Sequence, residues 1–188
     1  SSGVSTALTP VAGTGSNTAT LTVLAAPTLG KTFSPTSITS GGTGTAVLTL
    51  TLANTNAVSA SLSNPAFTDV FPVTPGAMRV AAPLTITNGC GGTLVDSGNG
   101  ALAANDVGIR YNNGSIPAAG TCTLSVVVLA PASGIYLNTT TALNTINDGS
   151  APAATASFTV VPTANLQVTK DNGTGSVSRS PSHSCAGG

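Results

Sequence analysis

The chain has 188 residues, and only 5% are charged: five Lys or Arg offset five Asp, with no Glu. Typical soluble domains carry about 25% charged residues, so this surface has little electrostatic protection against self-association. Five scattered bases supply no phosphate-neutralising field, which excludes nucleic acid as a partner. The most apolar run, Leu124 to Ala130, is far short of the ~20 residues a membrane-spanning helix needs.

In chain order, the first 23 residues repeat a segment near the far end. Thr6-Ala7-Leu8, a Gly-rich turn and Thr18-Ala19-Thr20-Leu21-Thr22-Val23 match Thr141-Ala142-Leu143, a turn two residues longer, and Thr155-Ala156-Ser157-Phe158-Thr159-Val160. Leu29-Gly30-Lys31 is echoed by Leu166-Gln167-Val168-Thr169-Lys170. The expected organisation is the tail of one repeat (1–24), a whole repeat (25–162), and the first strand of a third followed by a polar Gly/Ser tail (163–188). A surplus strand must pair with something, so Leu8, Leu21 and Val23 are candidate anchors of a donated strand.

Strands are expected at 28–33, 46–52, 66–71, 78–81, 84–87, 93–96, 107–112, 121–130, 135–142 and 155–161. The clearest is Ala46-Val47-Leu48-Thr49-Leu50-Thr51-Leu52, whose alternation puts Leu48, Leu50 and Leu52 on one face. Pro35, Pro65, Pro72, Pro75, Pro83, Pro117, Pro131 and Pro152 fall at or between the ends of these runs, where a missing N–H does least harm. No stretch shows apolar residues at helical spacing. Short strands with Gly, Pro and Asn between them predict an all-β, two-sheet sandwich with an extra N-terminal strand segment. Ser1 opens directly into polar residues, as a processed chain would.

The order Pro27-Thr28-Leu29-Gly30-Lys31-Thr32-Phe33-Ser34-Pro35, Leu48-Thr49-Leu50-Thr51-Leu52-Ala53-Asn54 and Phe67-Thr68-Asp69-Val70-Phe71-Pro72 carries a resemblance. So do Cys90-Gly91-Gly92, Ala119-Gly120-Thr121-Cys122-Thr123 and Gly134-Ile135-Tyr136-Leu137-Asn138-Thr139. Over about 25–162 the chain resembles the immunoglobulin-like repeats of uncharacterised function in large bacterial cell-surface and secreted proteins. The resemblance implies an immunoglobulin-like β-sandwich, an extracellular location and a structural or adhesive role. It names no ligand, and a host or surface ligand stays open.

Cys90 and Cys122 sit where such repeats often carry Cys, and a disulfide is the preferred reading in an exported chain; two buried free thiols are the alternative. Neither has a second Cys or His at ligand spacing, so no metal is implied, and no cofactor motif occurs. Cys185 in the tail is left over. Lys31, Asp69 and Asn138 form a sharper constellation. Some surface immunoglobulin-like domains cross-link a Lys amine to an Asn side chain with an acid as proton shuttle, and these three are the right types on an early, a middle and a late strand. The plainer reading has Lys31 snorkelling to solvent, Asp69 capping the Pro72 turn and Asn138 serving backbone groups. Asn17 is a second candidate, joining Lys31 to the donated strand of another chain.

No enzyme is expected. A Ser/His/Asp arrangement would have to use His183 in the tail, and the Asp residues lie in no catalytic motif. A carbohydrate-binding module would have only Tyr111 and Tyr136 to stack on a sugar, since there is no Trp. Calcium through Asp96, Asp106 or Asp148 lacks a dense acidic loop. Two geometries for a structural role remain: a homopolymeric filament assembled by strand complementation between subunits, to which the surplus strand points, and a stalk of adjacent repeats in one surface adhesin.

Overall fold

A computed structural model describes residues 21, 23–40, 44–57, 61–147 and 149–163. The first strand is broken at Pro35 into β1 (Thr28–Ser34) and β2 (Ser37–Thr39), and the long alternating run forms β3 (Thr45–Ala53). The middle of the chain gives β4 (Leu62–Ser63), β5 (Phe67–Val70), β6 (Arg79–Val80), β7 (Ile86–Asn88), β8 (Thr93–Asp96), β9 (Gly108–Asn112) and β10 (Ser115–Ile116). Then follow β11 (Thr121–Leu129), β12 (Gly134–Thr139), β13 (Leu143–Asn144), β14 (Ser150–Ala151) and β15 (Thr155–Val161). Among the described residues there is no helix.

The strands make two layers. One runs β1-β3-β11, with β6 and β7 both paired to the far side of β11, all antiparallel. In the other, β15 lies between β12, antiparallel, and β2, parallel. The Thr141 N–H donates to the Thr68 carbonyl at 2.8 Å, which sets β5 beside the β12 segment, and β5-β9-β8 extends outward from there. The two halves of the first strand therefore belong to different layers. Pro35 has no N–H to keep β1 on its ladder, and the chain crosses to the other layer just beyond it.

Period-two alternation decides what faces inward. β3 buries Ala46, Leu48, Leu50 and Leu52, and β11 buries Leu124, Val126 and Val128 opposite them. The other layer contributes Phe67, Ile109, Tyr111, Tyr136, Phe158 and Val160 to the same core. Phe33 of one layer meets Phe158 of the other at 4.7 Å between ring centroids, and Tyr136 stacks on Phe158 within the second layer at 5.3 Å.

The expected strands appear, with two differences. The run expected over 135–142 ends at Thr139, and after a break the chain resumes as β13. The short strands β2, β4, β10, β13 and β14 were not foreseen, because two or three residues carry no periodicity.

Cys90 and Cys122 form a disulfide linking the segment after β7 to β11. Beside it the buried Tyr111 hydroxyl donates to the Cys90 carbonyl at 2.9 Å. Gly114 is required here, since a Cβ on it would fall 1.7 Å from that hydroxyl oxygen. Burial pushes the Tyr111 phenol up to about 12. A raised acid pKa means stability that is present below pH ~10 and lost as pH climbs towards the folded value. Wild-type protein should therefore lose about 1–3 kcal/mol more than Tyr111→Phe between pH 9 and 12. At pH 7 the order reverses, the variant being less stable by about 1 kcal/mol for want of the bond to Cys90. Urea unfolding of both proteins across this range checks the crossover, and parallel curves would refute it.

Candidate functional site

Three strands aim one polar side chain each into the apolar interior. On β1 the inward residues are Lys31 and Phe33; on β5, Phe67 and Asp69; on β12, Tyr136 and Asn138. Each polar residue thus occupies a position that alternation reserves for the core. Lys31 pairs across β1–β3 with the buried Leu50, and Asp69 across β5–β9 with the buried Ile109.

The three side chains meet. Lys31 Nζ lies 2.7 Å from Asp69 Oδ2, and both side chains are fully buried. Asn138, 1% exposed, donates from Nδ2 to the same Oδ2 at 3.3 Å. The amine and the carboxamide are therefore held against one carboxylate oxygen. Lys31 does not reach solvent, and Asp69 does not cap the Pro72 turn. Asp69 Oδ1 and Asn138 Oδ1, both buried, have no hydrogen-bond partner.

Burial lowers the Lys31 amine below the usual lysine range, against the opposing pull of the Asp69 charge and hydrogen bond. Burial likewise raises the Asp69 carboxyl, against the charge of Lys31 and the hydrogen bonds from Lys31 and Asn138. Both shifts act against the charged form of the group. A dry interior disfavours each charged form, because neither charge is solvated.

The remaining candidates stand elsewhere. Leu21 and Val23 are 89% and 86% exposed and pack into no sheet of the described sandwich. Leu8, Asn17, Asp148, His183 and Cys185 lie outside the described residues. Asp96 Oδ1 accepts from the Gly100 N–H and Asp106 Oδ2 from the Ala103 N–H, each at 2.7 Å, so both carboxylates close turns. Tyr111 and Tyr136 are fully buried and offer no ring face to a sugar, which removes the aromatic basis for carbohydrate binding. Among the described residues no three His, Cys, Asp or Glu side chains group as metal ligands, and no helix is long and apolar enough to cross a membrane.

Sequence reasoning missed the knot that fixes the entry of the chain. Asn56 Oδ1 accepts from the Ala25 N–H at 2.8 Å and its Nδ2 donates to the Ala25 carbonyl at 2.9 Å. The Asn56 N–H in turn donates to Asn54 Oδ1 at 3.1 Å. Asn54-Thr55-Asn56 directly after a strand was the available signal, and it reads equally well as a plain strand end.

A two-layer all-β sandwich with a buried Lys–Asp–Asn cluster is thus the class of domain present. Residues 27–160 match the family described as a domain of unknown function, DUF7933, and the chain belongs to that family. No curated protein matches the sequence significantly. Among solved structures, BslA, a bacterial hydrophobin, is 18% identical with a TM-score of 0.45, covering 76% of this chain and 98% of that one. A cohesin–dockerin complex from Clostridium thermocellum matches at 10% identity and TM-score 0.44, over 77% of this chain and 100% of that one. BcpA, the major pilin subunit of Bacillus cereus, matches at 11% and 0.41, over 73% of this chain and 40% of that one.

Proposed function

We propose that the chain is a structural unit of an extracellular bacterial assembly, in which sandwiches of this kind stand in series along a surface stalk. The observation that carries this reading is the place of β15. It lies between β12 and β2, so residues 28–161 fill their own sheet and leave no gap for the strand that residues 18–23 repeat. In this reading that copy belongs to a preceding sandwich, and Leu166–Lys170 opens a following one. The Cys90–Cys122 disulfide suits an oxidising compartment, and the scarcity of charge suits a surface shared with neighbouring repeats. The unit carries out no reaction on an outside substrate.

A second reading is the filament assembled by strand complementation, and the exposed apolar Leu21 and Val23 favour it. There Leu8, Leu21 and Val23 anchor the donated strand in a neighbour's sheet, where it must displace that neighbour's β15. Deleting residues 1–24 separates the two readings. In the serial array, the full and shortened chains both sediment as monomers and negative-stain microscopy shows no filaments. In strand complementation, the full chain polymerises and the shortened one stays folded but monomeric. Filaments from both chains would sink both readings.

A further inference from the structure

The cluster of Lys31, Asp69 and Asn138 is costly as it stands. An amine and a carboxyl are fully buried as a pair, and two neighbouring acceptors, Asp69 Oδ1 and Asn138 Oδ1, have no donor. Buried polar groups without partners destabilise a fold, and a core this apolar could have closed over three hydrophobic side chains instead. The arrangement does have a chemical use. A desolvated amine is a nucleophile only when unprotonated, and Asp69, 2.7 Å away, is placed to take its proton. The proton arrives at Oδ2, and once the carboxyl has turned to carry it at the Oδ1 position, the neutral acid has the one donor that both orphan oxygens lack. The carboxyl and carboxamide then pair twice: Nδ2–H to Oδ2, as observed, and Oδ1–H to Asn138 Oδ1. The second bond withdraws charge from the Asn138 carbonyl, as an oxyanion-stabilising donor does.

We propose that Lys31 and Asn138 react within the folded core to form an isopeptide bond between Nζ and Cγ. The amine lone pair attacks Cγ, giving a tetrahedral centre whose oxygen is held by the Asp69 acid. Nζ then gives up one hydrogen by way of the Asp69 carboxyl, and that proton passes to the departing nitrogen. The Cγ–Nδ2 bond breaks and ammonia leaves, so that amine plus primary amide become secondary amide plus ammonia. No oxidant, metal or cofactor is consumed. The product leaves no titratable amine at Lys31 in the core and ties β1 directly to β12. Tension applied along the chain would pass from Lys31 to Asn138 without extending the strands between them. The bond does not depend on whether the sandwiches stand in a stalk or in a filament.

The test is the intact mass of the purified full chain, reduced and denatured. The expected value is about 17 Da below the mass its sequence requires, and proteolysis yields one branched peptide containing Lys31 and Asn138. A cyclised Asn loses the same mass but regains water in mild alkali, whereas the isopeptide persists and alone gives the branched peptide. Asp69→Asn, which keeps the shape of the site, and Asn138→Ala both show the full mass of their own sequences. Wild-type protein at full mass, with separate Lys31 and Asn138 peptides, overturns the proposal without any variant having to fold. Loss of ammonia that survives in Asp69→Asn overturns the part given to Asp69.

Discussion

Replacing Cys90 and Cys122 together by Ser should lower the free energy of unfolding by about 3–4 kcal/mol. The bond closes a loop with a sequence separation of 32, and on the chain-entropy account its loss frees that loop in the unfolded ensemble. The native state loses little by comparison. The loop contains β8 to β10 and the first residues of β11, and these keep their pairing to β4, β5 and β3. The Tyr111–Cys90 hydrogen bond holds the same segment from the other side. Urea denaturation of the double variant, with and without reductant, gives the number, and reductant should affect only the wild type. Equal stability of the two proteins under oxidising conditions would refute this chain-entropy account.

Asp69→Ala is the second large effect, a loss of about 3–5 kcal/mol, because it strands the Lys31 amine in a dry core. The same change takes away the acceptor of Asn138 Nδ2. Asp69→Asn should lose less, since it preserves volume and an acceptor oxygen. The pH dependence identifies the cause. Burial lowers the Lys31 pKa, and removing Asp69 removes the charge that opposed this shift. A lowered amine pKa makes the folded state bind fewer protons than the unfolded state, so stability rises with pH up to the ordinary lysine value. The Asp69→Ala deficit should accordingly shrink as pH climbs from 7 towards 10, when measured against wild type. A deficit that is flat over that range would assign the loss to packing. If the wild type carries the Lys31–Asn138 bond, the variant forgoes that stabilisation as well.

Much of this was legible in the residues. Alternation in Ala46–Leu52 named the inward face of β3, because a strand has a strict period of two and one wet side. Prolines marked the strand ends for want of an N–H. The repeat of residues 6–23 in 141–160 is what points to an array or a polymer. Lys31, Asp69 and Asn138 could be singled out only because a chain with two Lys and five Asp has few charged groups to place.

Other features were decided by tertiary structure alone. No local signal says that the first strand leaves one layer at Pro35 and pairs in parallel with β15, since β2 is three residues long and its partner lies at the far end of the domain. Nothing in Asp69 itself says whether it caps a turn or enters the core. Local turn chemistry and burial compete for the same side chain, and burial prevails because β5 sits between β9 and β12 with Asp69 on its inward face. The meeting of the three groups has the same origin. Lys31, Asp69 and Asn138 are set by strand identity along the chain, but their contact at one carboxylate oxygen depends on the facing of the two layers, and only the closed sandwich excludes the water whose loss lowers the Lys31 pKa.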